Sequence, residues 1–99
     1  MEIRTSHVVL STAGHDKGQL FLVVGEAERF LLLADGKTRT FGKPKRKNRR
    51  HVRFAAASSH PAAAFLQGGG QVENSEIRKA LAAARGAARA NLGEASTLG

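Results

Sequence analysis

The chain predicts a small, mainly-β domain: five short antiparallel strands forming a barrel or meander, followed by one C-terminal α-helix. Three observations predict it. Short apolar runs rich in Val, Leu and Phe recur at close spacing between Val8 and Ala56. Each junction between them is a short turn of Gly, Asp and other polar residues, too short for the crossover that parallel strands require. Beyond Gln71 the apolar spacing changes to three and four residues, the period of a helix. At 99 residues the chain has room for one small domain with a limited core.

The first strand is Val8-Val9-Leu10, ending at Ser11-Thr12, and the turn Ala13–Gly18 carries two glycines. Gln19–Val24 is the second strand, and Gly25–Glu28 is a polar turn. Arg29–Ala34 is the third. Asp35-Gly36 then reads as a two-residue hairpin turn, because both central residues of a type I′ turn take positive φ. Thr38–Phe41 is the expected fourth strand, and Pro44 breaks pairing in the run that follows. His51–Ala56 is the fifth, with Val52 and Phe54 on one face. Leu20–Val24 and Phe30–Ala34 are apolar at every position, so both of their faces want cover. One face is the barrel core. The other calls for a helix or a partner, and an uncovered face would favour a weak dimer over a monomer.

The barrel is thus assigned to residues 1–56. Residues 57–73 form an Ala/Gly-rich connector with Pro61 and a Gly68-Gly69-Gly70 triplet, in which Ala62–Leu66 has the composition of a helical turn. The helix is expected over 74–92. Asn74 or Ser75 offers an N-cap oxygen, and Glu76 favours the positive end of the macrodipole. Ile77, Ala80, Leu81, Ala84 and Ala88 make one apolar stripe, while Arg78, Arg85 and Arg89 share another face. That stripe is the obvious cover for the second face of the apolar strands. Gly93 reads as the stop, and 93–99 as a flexible tail.

Charge is the other strong signal. The segment 37–53 holds nine cationic residues and no acid, against a net charge of +8 for the whole chain. The first 36 residues are slightly acidic, with three basic side chains and five acidic ones. A basic block on an otherwise mild domain is the footprint of a polyanion binder, nucleic acid above all. There is no Trp and no Tyr, so phosphate and shape recognition outweigh base stacking. No cysteine is present for a disulfide or a thiolate zinc site. Neither a signal-peptide pattern nor an apolar run of membrane-spanning length occurs, which leads to the expectation of a cytoplasmic protein.

The turn Gly14-His15-Asp16-Lys17-Gly18 between two apolar strands resembles the Gly-x-x-Lys-Gly loop of the KOW motif. Leu33-Ala34-Asp35-Gly36-Lys37-Thr38-Arg39, then Lys43-Pro44-Lys45-Arg46-Lys47 and His51-Val52, resemble one branch of that superfamily. These are small bacterial KOW-domain RNA-binding proteins, similar to KOW-containing large-subunit ribosomal proteins of archaea and eukaryotes. The resemblance covers roughly His7–Phe54, and more loosely Ser75–Leu81. It implies an SH3-like barrel that binds RNA, with ribosomal RNA of the large subunit as the first partner and ribosomal proteins as further neighbours. Similar proteins often carry a basic residue where His15 stands, so one loop contact would be pH-dependent.

Catalysis finds no support in the residues. Ser11, His15 and Asp16 are of triad type, but neighbours in one tight turn cannot readily share a proton path. His7, His15, His51 and His60 lack metal-ligand spacing, so neither a metal nor another cofactor is expected. The Gly turn opens a strand, unlike a nucleotide-binding loop, which opens a helix. The expected function is non-catalytic binding of structured RNA. The contacts would come from Gly14, His15, Lys17 and Gly18 in the loop. Lys37, Arg39, Lys43, Lys45, Arg46, Lys47, Arg49, Arg50 and His51 would add the basic segment, with Arg78, Arg85 and Arg89 either a second RNA-facing strip or a solvated helix face. The alternative is a protein-interaction module of the transcription or translation machinery, working through its apolar sheet face.

Overall fold

The computed structural model describes the backbone of residues 2–58 and 60–98, and side chains as far as residue 86 of the last helix. Five strands form one antiparallel sheet: β1 (His7–Ser11), β2 (Leu20–Glu26), β3 (Phe30–Ala34), β4 (Lys45–Asn48) and β5 (Val52–Ala57). Their order across the sheet is β4-β3-β2-β1-β5. Two helices follow, α1 (Ala62–Gln67) and α2 (Asn74–Leu98). The two edge strands, β4 and β5, are consecutive in the chain and separated only by the 3-10 turn Arg49–His51. A three-residue link between opposite edges requires the sheet to bend strongly. No helix among the described residues is long and apolar enough to cross a membrane.

Both faces of the central strands are buried. On one face Val9, Phe21, Val23, Leu31 and Leu33 form an inner cluster. On the other, Val8, Leu22 and Ala34 pack with Leu66 of α1 and with Ile77 and Leu81 of α2. The non-alternating apolar strands therefore have a simple cause: odd and even residues of β2 enter different cores. The face that a partner protein would have used is occupied by the chain's own helices. Burying one aliphatic side chain is worth about 1.5–3 kcal/mol, so Ile77 and Leu81 anchor α2 firmly. The expected places of Ala88 in the apolar stripe and of Arg89 on the basic face lie outside the described side chains.

Four expectations need correction. The fourth strand is Lys45–Asn48, not Thr38–Phe41, and it is cut from the basic run itself, with Pro44 just ahead of it. Leu33, Leu32, Leu31 and Phe30 of β3 pair with Lys45, Arg46, Lys47 and Asn48. Thr38–Phe41 instead belongs to a long β3–β4 loop. Asp35-Gly36 starts that loop rather than closing a two-residue hairpin. The Asp35 carboxylate accepts the Lys37 and Arg39 N–H groups, and the Asp35 and Gly36 N–H groups donate to the Arg39 carbonyl. Asn74 does not cap its own helix: the Ile77 N–H bonds to the Glu73 carbonyl, and Asn74 Oδ1 accepts the Phe41 N–H at 2.8 Å. Lastly, α2 continues to Leu98, through the expected stop at Gly93 and the segment 93–98. The expected connector does contain a helix, α1, at Ala62–Gln67.

Candidate nucleic-acid interface

In an antiparallel meander the β1–β2 and β3–β4 loops emerge at the same end of the sheet. The glycine loop, residues 12–19, and the basic loop, residues 35–44, therefore share that end. The last residue of the 3-10 turn reaches the glycine loop there, since the Thr12 N–H donates to the His51 carbonyl at 2.9 Å. Gly14 and Gly18 hold φ of 86° and 90°, which an L side chain rarely adopts. They let the loop fold back so that the Gly18 N–H reaches the Ser11 carbonyl at 2.9 Å. His15 and Lys17 are exposed on it.

Asp16 points the other way, into the protein. Its Oδ1 lies 2.6 Å from Ser11 Oγ and 2.6 Å from Lys47 Nζ, while Lys45 Nζ lies 2.6 Å from Oδ2. Lys47 also donates to the Ala13 carbonyl at 2.6 Å. Lys45 and Lys47 stand opposite Leu33 and Leu31, which belong to the inner cluster, so both ammonium groups approach Asp16 from the core side. The four side chains form a polar plug closing the loop end of that core. Burial alone would raise the Asp16 pKa. The contacts from Lys45, Lys47 and Ser11 outweigh it and hold the carboxyl well below its ordinary value.

The basic segment is thus divided by strand register. Lys47, with only 7% of its side chain exposed, is not available to a phosphate, and Lys45 is engaged in the same plug. Arg46 projects outward, its guanidinium 4.4 Å from the Phe30 ring centroid. Arg49 serves the opposite end of the sheet, where Nη1 donates to the Ile3 carbonyl at 2.6 Å and Nε to the Ala27 carbonyl at 3.1 Å. Glu26 adds to that clip. Its carboxylate accepts the Thr5 backbone N–H and hydroxyl, which draw its pKa below the ordinary value. Arg49→Ala is expected to cost about 1–2 kcal/mol in chemical denaturation, the value of charge-assisted bonds that are half in solvent.

What remains outward is a smaller set. Lys17, Lys37, Arg39, Lys43, Arg50 and His51 are exposed, and none of them enters an ion pair among the described residues. Arg53 on β5, from the basic segment, together with Arg78 and Arg85 on α2, from the second cationic strip, extends this basic surface. Their signal in the sequence is the shared helical face of Arg78 and Arg85. Nothing there relates that face to the loops. The link is tertiary: Arg78 Nη1 donates to the Gly36 carbonyl at 2.6 Å, across 42 residues of chain.

Ser11 and Asp16 do meet, but as bonded members of the plug, while His15 is exposed. Among the described residues, no three His, Asp or Glu side chains gather in a way that could hold a metal ion. No protein-family model matches the chain, and no curated protein matches it.

Proposed function

We propose that this chain is a non-catalytic RNA-binding module of the KOW type, cytoplasmic, which recognises structured RNA through its phosphates. The observation that carries this reading is the gathering of exposed cations, unpaired among the described residues, from the glycine loop and the β3–β4 loop at one end of the sheet. An SH3-like barrel is the natural description of a meander whose edges are joined by a single 3-10 turn around an inner apolar cluster. The RNA we favour is that of the large ribosomal subunit, on the strength of the loop, the Asp-Gly-Lys turn and the Lys-Pro-Lys-Arg-Lys run in this order. The protein-interaction reading is weakened, since its working face lies under α1 and α2.

Binding should be strongly salt-dependent. About six phosphate contacts to duplex RNA give a slope of log affinity against log salt near −5. Changing Lys37, Arg39 and Lys43 together to Gln should flatten it by roughly two to three units, about one for each phosphate no longer neutralised. Filter binding across a salt series measures both. An unchanged slope would remove the β3–β4 loop from the interface. In cell lysate, the protein should sediment with large ribosomal subunits at low salt and leave them at high salt. Sedimentation only at the top of the gradient, even at low salt, would overturn the ribosomal assignment.

A further inference from the structure

A groove of roughly 960 Å³ runs between α2 and the loop end of the sheet, beside Gly18. Four cations line it from three separate elements: Lys37 of the β3–β4 loop, Arg53 of β5, and Arg78 and Arg85 of α2. Its one carboxylate among the described residues, Asp35, already accepts two N–H groups of its own loop. The floor is apolar, with Leu10, Leu20, Phe54 and Leu81. We propose that this groove takes an unpaired stretch of RNA, with bases on the apolar floor and phosphates between the arginines. The inference rests on the RNA-binding reading and adds a second mode of contact to it.

The chemistry selects this occupant. A duplex presents only its phosphates and sugars to a flat basic surface and has no use for an apolar floor. A splayed nucleotide offers an apolar face and an anion side by side, which is how loops and bulges are recognised. Arg78 is aimed by its bond to the Gly36 carbonyl, and its remaining N–H groups are left for a phosphate. Arg85 lies two helical turns further on, so the cations follow the groove rather than cluster at one point. An acidic peptide would satisfy the charges but supplies no planar group for the floor.

The test compares a fully paired RNA hairpin with the same hairpin carrying a three-nucleotide bulge, by fluorescence anisotropy at fixed salt with the full chain. The bulged RNA should bind at least about tenfold more tightly, the worth of one base stacked on protein. Arg53→Gln with Arg85→Gln should weaken binding of the bulged RNA at least about tenfold more than that of the paired hairpin, which erases the preference. Both side chains are exposed, and a thermal melt will verify that the variant is folded. Equal binding of both RNAs by the unmodified protein, or equal weakening of both in the variant, would overturn the groove and leave the RNA-binding reading standing. Displacement of the bulged RNA by a decaglutamate as readily as by decauridylate would assign the groove to acidic chains in general and overturn the nucleotide proposal. Failure to bind either RNA at low salt would overturn both readings.

Discussion

Lys47→Ala is expected to destabilise the protein by about 3 kcal/mol, the lower end of the cost of breaking a buried ion pair. For a chain of this size that lowers the melting temperature by roughly 12–24 °C. The reason is Asp16. Without Lys47 its carboxylate keeps Lys45 and Ser11 but is deprived of its more buried cation, and the Ala13 carbonyl is left without that donor as well. Circular dichroism melts measure the effect, and a change within about 2 °C would show that the plug contributes little. Substituting both partners, Asp16→Leu with Lys47→Met, should recover much of it, because an apolar pair of similar volume needs no desolvation. The same plug sets an acid sensitivity. Asp16 has its folded pKa depressed below the ordinary 3.8, so its contribution is fully present above that value. It is lost progressively as pH falls from about 4 toward the folded pKa, so the unfolding free energy of the unmodified protein should decline there more steeply than that of the double variant. The lysines at 45 and 47 are therefore poor probes of RNA binding. Their removal would lower affinity through unfolding, whereas Lys37, Arg39 and Lys43 carry charge without a structural duty among the described ion pairs.

Gly36→Ala is expected to cost about 3 kcal/mol and to loosen α2. Gly36 holds φ of 80°, where an alanine pays about 1–2 kcal/mol for the left-handed conformation. Its added methyl would also collide with the Asn74 carbonyl and come within 2.8 Å of Arg78 Cγ. The first is backbone in the opening turn of α2 and cannot swing aside, so an overpacking cost of about 1–3 kcal/mol adds to the strain. Gly18→Ala is the control. Gly18 has φ of 90°, but no atom lies within 4 Å of its added methyl, so only the conformational cost of about 1–2 kcal/mol should appear. Equal effects at the two positions would mean that the contact between the β3–β4 loop and α2 is not rigid. A larger destabilisation at Gly36, with weaker protection of the α2 amides in hydrogen exchange, is the expected result.

Much of the architecture is legible in the residues alone. The β-branched and Leu-rich runs place β1, β2, β3 and β5 within a residue or two, because apolar strands bounded by Gly and Asp turns have few other uses. The stripe of Ile77, Ala80 and Leu81 points to the second face of the sheet, and it packs there against Val8, Leu22 and Ala34. β4 escapes for a physical reason. Lys-Arg-Lys-Asn has no apolar alternation, and its two inward positions are filled by lysines whose partner, Asp16, lies about 30 residues earlier. The Asp35-Gly36 signal does mark a turn, though not a two-residue hairpin. The loop it opens is held by Asn74 and Arg78, which lie across the molecule.

The order of the residues by itself determined that the chain is mainly β, strongly basic in one segment, and in need of cover, by a helix or a partner, over its second apolar face. These properties follow from local periodicity and summed charge, which any reader of the residues can count. Only the tertiary structure decided which positive charges face solvent. A strand's register turns alternate side chains to opposite faces, so neighbours in one basic run divide between a buried plug and an open surface. It also brought Arg53, Arg78 and Arg85 to one groove, since side chains from a strand and a distant helix meet only when the helix docks on the sheet.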